Sequence, residues 1–198
     1  MTDGRRERAD ATRNRRAILR ATEELLAGHR PEQISMEQVA AAAGVGKGTV
    51  FHRFGSRMGL MRALMQERAF DLEEAVRCGP PPLGPGAPAR ERLLAFLDAV
   101  VDVVSRNKSL LAALGHAVSA NPPSPDQGPR EAHPVYRAWH EHLAALLSEQ
   151  RPELDAELTA HILLGALHSD PILRLLEQGE GERLADALRE LAVSLLGR

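Results

Sequence analysis

A single cysteine, Cys78, stands among 198 residues, so no internal disulfide can form and nothing calls for an oxidising compartment. Aromatic residues make up only 3 % of the chain, and β-branched residues are scarce beside Ala, Leu and Arg. That balance works against strands and favours helices, because Ala, Leu, Arg and Glu lose little side-chain freedom in a helix. No long apolar run occurs: the stretch 93–104 is interrupted by Asp98 and Asp102 and is too short to cross a bilayer. The arginine-rich start (Arg5, Arg6, Arg8, Arg13, Arg15, Arg16) has no apolar stretch behind it, unlike a secretory signal. Catalytic signatures are missing too. There is no Gly-x-Ser-x-Gly elbow, no His-Glu-x-x-His pair and no convincing nucleophile. The run Gly44-Val-Gly-Lys-Gly-Thr49 has the look of a phosphate loop, but its first glycine is too near the lysine and no strand precedes it. His140 and His142 are close in sequence without the spacing of a metal site. The expectation is a cytoplasmic, all-α protein that is not an enzyme, with no cofactor, no metal and no membrane partner.

Charge is present but unevenly placed. Residues 1–57 carry 11 Lys and Arg against 7 Asp and Glu, while the rest of the chain has an acidic excess, giving a net charge of −2. A basic first quarter on an acidic body suits a chain that offers one end to phosphate.

Apolar spacing predicts helices over about 8–27, 57–78, 89–106, 108–118, 134–149, 152–169 and 182–196. Gly28 stops the first, which carries Ala11, Ile18, Ala21, Thr22, Leu25 and Leu26 on one stripe. The second can be capped by Ser56 and runs through Leu60, Leu64, Phe70, Leu72 and Val76. In the third, Glu91, Asp98, Asp102 and Ser105 share the polar face. Pro134 and Pro152 each sit where a first helical residue can, and Asp170-Pro171 repeats that signal, so the 152–169 helix ends or kinks there. The proline- and glycine-rich segments 79–88 and 119–133 read as loops. Two domains are expected, 1–56 and 57–198.

The chemistry concentrates in residues 34–57. Ser35 is a fit N-cap with Gln38 three residues on, a capping-box arrangement. Val39, Ala40 and Ala43 give a small inward face that lets a second helix approach closely. Gly44 supplies the left-handed backbone of a tight interhelical turn, and Val45 plugs that turn. A new helix then carries Val50 and Phe54 inward and leaves Lys47, Gly48, Thr49, His52 and Arg53 outside. Those residues are short or basic, as a helix lying in the major groove requires.

This segment resembles the DNA-binding signature of the TetR family of bacterial repressors. Its general form is (Ser/Thr)-x-x-x-(Val/Ile)-Ala-x-x-Ala-Gly-Val-(Ser)-x-Gly-Thr-(Leu/Val)-Tyr-x-x-Phe-x-(Ser/Asn)-Lys-x-x-Leu. Ser35, Val39, Ala40, Ala43, Gly44, Val45, Gly48, Thr49, Val50, Phe54, Ser56 and Leu60 match it, and the likeness covers roughly residues 10–65. The resemblance implies a DNA-binding set of Ser35, Gly46, Lys47, Thr49, Phe51, His52, Arg53 and Arg57. Lys47 would reach bases or phosphates, Thr49 would donate to a phosphate, and His52 and Arg53 would touch backbone. Phe51 stands where the family has Tyr; it keeps the ring, for packing or a thymine methyl, and loses the phosphate-bonding hydroxyl. Gly46 replaces a Ser that could cap the recognition helix. Arg57 keeps the charge of the family's Lys at the start of the next helix. Glu37 stands where some members read a base and could accept from a cytosine amine, or could simply be a solvated or intrahelical carboxylate.

One recognition helix spans few base pairs, so specificity calls for two. The resemblance implies a homodimer on a double-stranded, near-palindromic operator, built through the helices at 152–169 and 182–196. Leu158, Ile162, Gly165 and Ala166 leave close-approach surface for it, and Leu184, Leu188, Leu191 and Leu195 form a stripe. It also implies a small-molecule effector within the helical body that releases a repressor; activation, or nonspecific DNA or partner binding, is the alternative. Phe96, Val100, Leu114, His116, Trp139, His142, His161 and His168 are candidates for the pocket wall, and their mostly apolar character suits a hydrophobic effector. Each of them could equally serve as an ordinary core or surface residue.

Overall fold

The computed structural model describes residues 3–113, 134–167 and 169–197. Among these residues the regular structure is helical throughout. The chain divides into two compact units, Met1–Arg68 and Ala69–Arg198.

The first unit contains α1 (Asp3–Gly28), a 3-10 turn (Pro31–Gln33), α2 (Met36–Ala42), α3 (Lys47–Phe54) and the first half of α4 (Arg57–Cys78). Ile18, Leu19 and Ala21 of α1 are buried, as are Ile34, Met36, Val39, Ala40, Val50, Leu60, Met61 and Leu64. Thr22, also fully buried, donates its hydroxyl to the Ile18 carbonyl at 2.8 Å, so its polar atom is satisfied within the helix. Two long-range ion pairs fasten α4 to α1. Arg68 grips the Glu23 carboxylate at 3.0–3.1 Å, and Arg15 reaches Glu67 at 2.5 Å.

The second unit is built around α5 (Ala89–Ala113), which packs against α6 (Pro134–Gln150), α8 (Asp170–Glu177) and α9 (Gly181–Leu196), while α7 (Ala156–Ala166) lies on α6. Its core joins Leu93, Phe96, Leu97, Val100 and Val101 to Leu143, Leu146 and Leu147, with Leu163, Leu164, Leu184 and Leu188 completing it. The last carbonyls of the chain find arginine donors: Arg151 Nη1 bonds Leu195 O at 2.6 Å, and Arg90 Nη1 bonds Gly197 O at 2.7 Å.

The structure corrects several sequence-based expectations. The helices predicted at 89–106 and 108–118 are one helix to Ala113, because nothing at Asn107-Lys108 breaks it and Val103, Val104 and Leu110 continue its buried face. The helix predicted to open at Pro152 starts at Ala156, where the Asp155 carboxylate accepts from Leu158 N at 3.0 Å; that cap outcompetes the proline. It ends at Ala166, and Asp170-Pro171 opens a separate short helix, α8. Phe70 is exposed, and the buried stripe of α9 runs through Leu184, Leu188, Ala192 and Leu196 at four-residue spacing, which leaves Leu191 on the surface. The polar face of α5 is partly covered, since Asp98 takes Arg189 of α9 in a bidentate pair at 2.9 Å. The predicted loop at 119–133 and the candidates Leu114, His116 and His168 lie outside the described residues.

Candidate nucleic-acid interface and effector site

The local chemistry of residues 35–60 builds a helix-turn-helix step by step. Ser35 Oγ accepts from Gln38 N at 3.1 Å, and Gln38 Oε1 accepts from Ser35 N at 2.8 Å, closing the capping box at the head of α2. After α2, Gly44 takes φ +65°, a conformation open to glycine at little cost, and Val45 N turns back to the Ala40 carbonyl at 3.0 Å. α3 then starts at Lys47. Gly46 occupies its N-cap with no side chain to offer, and the first bond is Thr49 N to Gly46 O at 2.9 Å. At the far end, Ser56 Oγ accepts from Gly59 N at 3.1 Å and caps α4. Gly59 is there for space: a Cβ would stand 2.1 Å from the Phe54 carbonyl oxygen.

Val50 is fully buried and Phe54 half-buried, so one face of α3 is fixed against the unit's core. Lys47, Gly48, Phe51, His52 and Arg53 are exposed, and Thr49 is half-buried beside them. Phe51 is 39 % exposed, a large apolar ring held at the surface between basic residues. The Lys47 ammonium sits 5.5 Å from its centroid, within reach of a cation–π attraction. Lys47 also pairs with Glu37 of α2. This hydrogen bond is the main reason the Glu37 carboxyl is held below the usual carboxylate range. Glu37 is therefore bonded between helices, neither free nor intrahelical. Arg57 Nη1 donates to the Glu32 carbonyl at 2.8 Å, tying the head of α4 to the 3-10 turn. Ser35, Gly46, Lys47, Thr49, Phe51, His52, Arg53 and Arg57 thus all fall within one capped helix-turn-helix and its flanks.

The candidate effector residues divide into two groups. Phe96 and Val100 of α5 are buried, and the Phe96 ring meets His142 of α6 edge-on at 4.8 Å. Trp139, 7 % exposed, lies one helical turn before His142. Burial, with the Arg92 charge as a second cause, pushes the His142 imidazole down to about 4, so it is neutral near pH 7. His161 does not join them. Its exposed ring stacks on His140 at 3.9 Å, and its Nδ1 is 2.8 Å from the Tyr136 hydroxyl. His140 in turn is buried, with Nε2 at 3.0 Å from the Glu157 carbonyl. Sequence reasoning missed Tyr136, His140 and Arg92. Tyr136 and His140 are i, i+4 neighbours, but their link to His161 depends on how α7 lies on α6. Among the described residues no three His, Cys, Asp or Glu side chains gather as a metal ion would need, and no helix is long and apolar enough to cross a membrane.

A capped, glycine-turned helix pair with a basic and aromatic outer face, followed by a helical body, defines a helix-turn-helix DNA-binding regulator. The comparisons then specify it. The model for bacterial regulatory proteins of the tetR family matches residues 18–64, and the model for the tetracyclin repressor-like C-terminal domain matches residues 93–198, more than half of the chain. The protein belongs to the TetR family of bacterial transcriptional regulators. No curated protein matches it. Among solved structures it is similar to FadR of Bacillus subtilis, crystallised in complex with stearoyl-CoA, at 17 % identity and TM-score 0.55, with 90 % of this chain and 97 % of that chain covered. It is also similar to the fatty acid degradation regulator FadR of Bacillus halodurans, at 19 % identity and TM-score 0.54, with 91 % and 97 % covered. At these identities the likeness is one of fold.

Proposed function

We propose that this protein is a ligand-responsive transcriptional repressor that binds a near-palindromic operator as a homodimer and is released by a small-molecule effector. The observation that carries the DNA-binding part is the outer face of α3. Its inner face is anchored by Val50, and what remains exposed is Lys47, Gly48, Phe51, His52 and Arg53. Cations there suit phosphates, small residues allow close approach to the backbone, and the Phe51 ring suits a thymine methyl. Thr49 is the phosphate donor in this reading, and Ser35 and Gly46 contribute through the ends of α2 and α3.

The dimer reading is supported by apolar surface left exposed among the described residues. Leu158 and Ile162 of α7 are 56 % and 62 % exposed, with Gly165 and Ala166 beside them, and Leu191 of α9 is also exposed. Side chains of this kind, one turn apart along a helix, suit a second copy of the same surface across a two-fold axis. The effector reading is supported by the α5–α6 seam at Phe96, Val100, Trp139 and His142.

The test begins with selection of bound sequences from random duplex DNA by the full-length protein. A paired, two-fold-related motif is expected. On that operator, Lys47→Ala with Thr49→Ala should weaken binding at least a hundredfold while the dimer persists in light scattering. Normal operator binding by the double variant would remove α3 from the interface.

A further inference from the structure

Three nitrogens in the α5–α6 seam are buried without a hydrogen-bond partner among the described residues: Arg92 Nε, Trp139 Nε1 and His142 Nε2. Arg92 is near enough to His142 for its charge to act on that imidazole. Arg92 is one turn before Phe96 on α5, Trp139 is one turn before His142 on α6, and the Phe96–His142 ring contact joins the two faces. A buried polar atom left without a partner is costly, so three on these two helices call for an explanation. A fourth such atom, Ser105 Oγ, is elsewhere: it abuts Gly181 at the start of α9, where a Cβ would come within 2.8 Å of it.

The chemistry of the three is one-sided. Trp139 Nε1 and Arg92 Nε are donors only, and the neutral His142 ring can turn a donor to whatever Nε2 meets. No carboxylate of the described chain pairs with Arg92. Phe96, which touches His142, is buried and apolar, as are Val100 one turn along α5 and Leu143 beside His142 in sequence. A ligand that fits must bring acceptor oxygens and one negative charge on an apolar frame. A single guanidinium in an apolar seam matches a monoanion: the pair is net neutral, and a planar carboxylate has acceptor sites for several N–H groups at once. A phosphate dianion would leave a charge uncompensated.

Building on the effector reading above, we infer that the α5–α6 seam binds an apolar carboxylic acid, its carboxylate held by Arg92 and Trp139 with His142 as the third donor. This sharpens the expectation of a merely hydrophobic effector, because the apolar part would fill the seam while the acid group decides recognition.

Trp139 is the chain's only tryptophan, so it reports on the site directly. The full-length protein, without DNA, is titrated with dodecanoate and 4-butylbenzoate and with their methyl esters, following Trp139 fluorescence and heat. At least one acid should bind and change the emission, with its ester at least tenfold weaker. Arg92→Ala should lower the acid's affinity at least tenfold, and Trp139→Phe severalfold by calorimetry. The inference is overturned if neither acid binds, if esters bind as well as acids, or if a folded Arg92→Ala keeps full affinity. The acid–ester comparison uses the unaltered protein and so does not depend on any variant folding. Operator release is a separate measurement. Acid binding that leaves DNA affinity unchanged would count against the regulatory reading and not against this site.

Discussion

Glu37 at the head of α2 pairs with Lys47 at the head of α3, bridging the two helices of the DNA-reading unit. The pair is exposed, so its contribution to stability is small. Its consequence is electrostatic: the Lys47 ammonium is partly neutralised by Glu37 while it also lies 5.5 Å from the Phe51 ring centroid.

If Lys47 meets DNA as proposed, phosphates must compete with Glu37 for it. Glu37→Gln removes the competitor and one negative charge from the interface. Affinity for the selected operator should rise roughly three- to tenfold near 0.1 M salt, and the slope of log K against log salt should steepen by about 0.9. A repeat of the selection with this variant separates a second role: if Glu37 accepts from a cytosine amine, preference at one base pair should relax. Fluorescence anisotropy across a salt series makes the first measurement. An unchanged slope would mean Lys47 contacts no phosphate.

Gly59 sets how closely α4 follows the end of α3. Gly59→Ala places a methyl 2.1 Å from the Phe54 carbonyl oxygen, and both partners are backbone-bound, so neither can yield easily. The expected loss is about 3 kcal/mol, seen as a lower urea midpoint, with weaker operator binding. Gly28→Ala is the control. A Cβ at Gly28 meets nothing within 4 Å, so that change should be neutral or stabilise by about 0.5 kcal/mol.

The contrast between those two glycines shows what was legible in the sequence. Ser35, Gln38, Gly44, Val45 and Ser56 act through bonds to residues a few positions away, so their order along the chain reveals the capped helices and the turn. Gly59 acts through Phe54, five residues away around a corner, and gave no local signal. The Glu37–Lys47 bridge, the Asp98–Arg189 pair and the Tyr136–His140–His161 stack each join different helices. Periodicity shows that a helix has an apolar stripe but not which neighbour covers it. That is why Phe70, placed with the apolar residues of its helix, emerges exposed. The start of α7 was missed for a related reason: Pro152 and Asp155 both offer a beginning, and the side-chain bond to Leu158 N decides between them.

Leu158 and Ile162 are one turn apart on α7 and both are more than half exposed. Replacing both with Arg puts like charges on both sides of a two-fold axis. Leu158→Arg with Ile162→Arg should leave a folded monomer by light scattering, with unchanged far-ultraviolet dichroism. Operator affinity should fall at least tenfold, because each half-site is then bound alone. A variant that stays dimeric would place the partner surface elsewhere.

His142 gives the protein a pH dependence whose direction follows from its surroundings. Burial, aided by the Arg92 charge, lowers its folded-state value to about 4 against 6.5 for an unconstrained imidazole. Between those limits the unfolded chain takes up a proton at this position and the folded chain does not, so stability falls as pH drops from about 6.5 towards 4. Above pH 7 both states are neutral here and the effect is absent. His142→Phe keeps an aromatic partner for Phe96 and removes the titrating group. Urea unfolding of both proteins should show the variant gaining on the wild type by about 2 kcal/mol between pH 7 and pH 4.5. A gap that stays constant across that range would mean His142 takes up its proton equally in the folded and unfolded chains, so that the seam accepts a second positive charge beside Arg92.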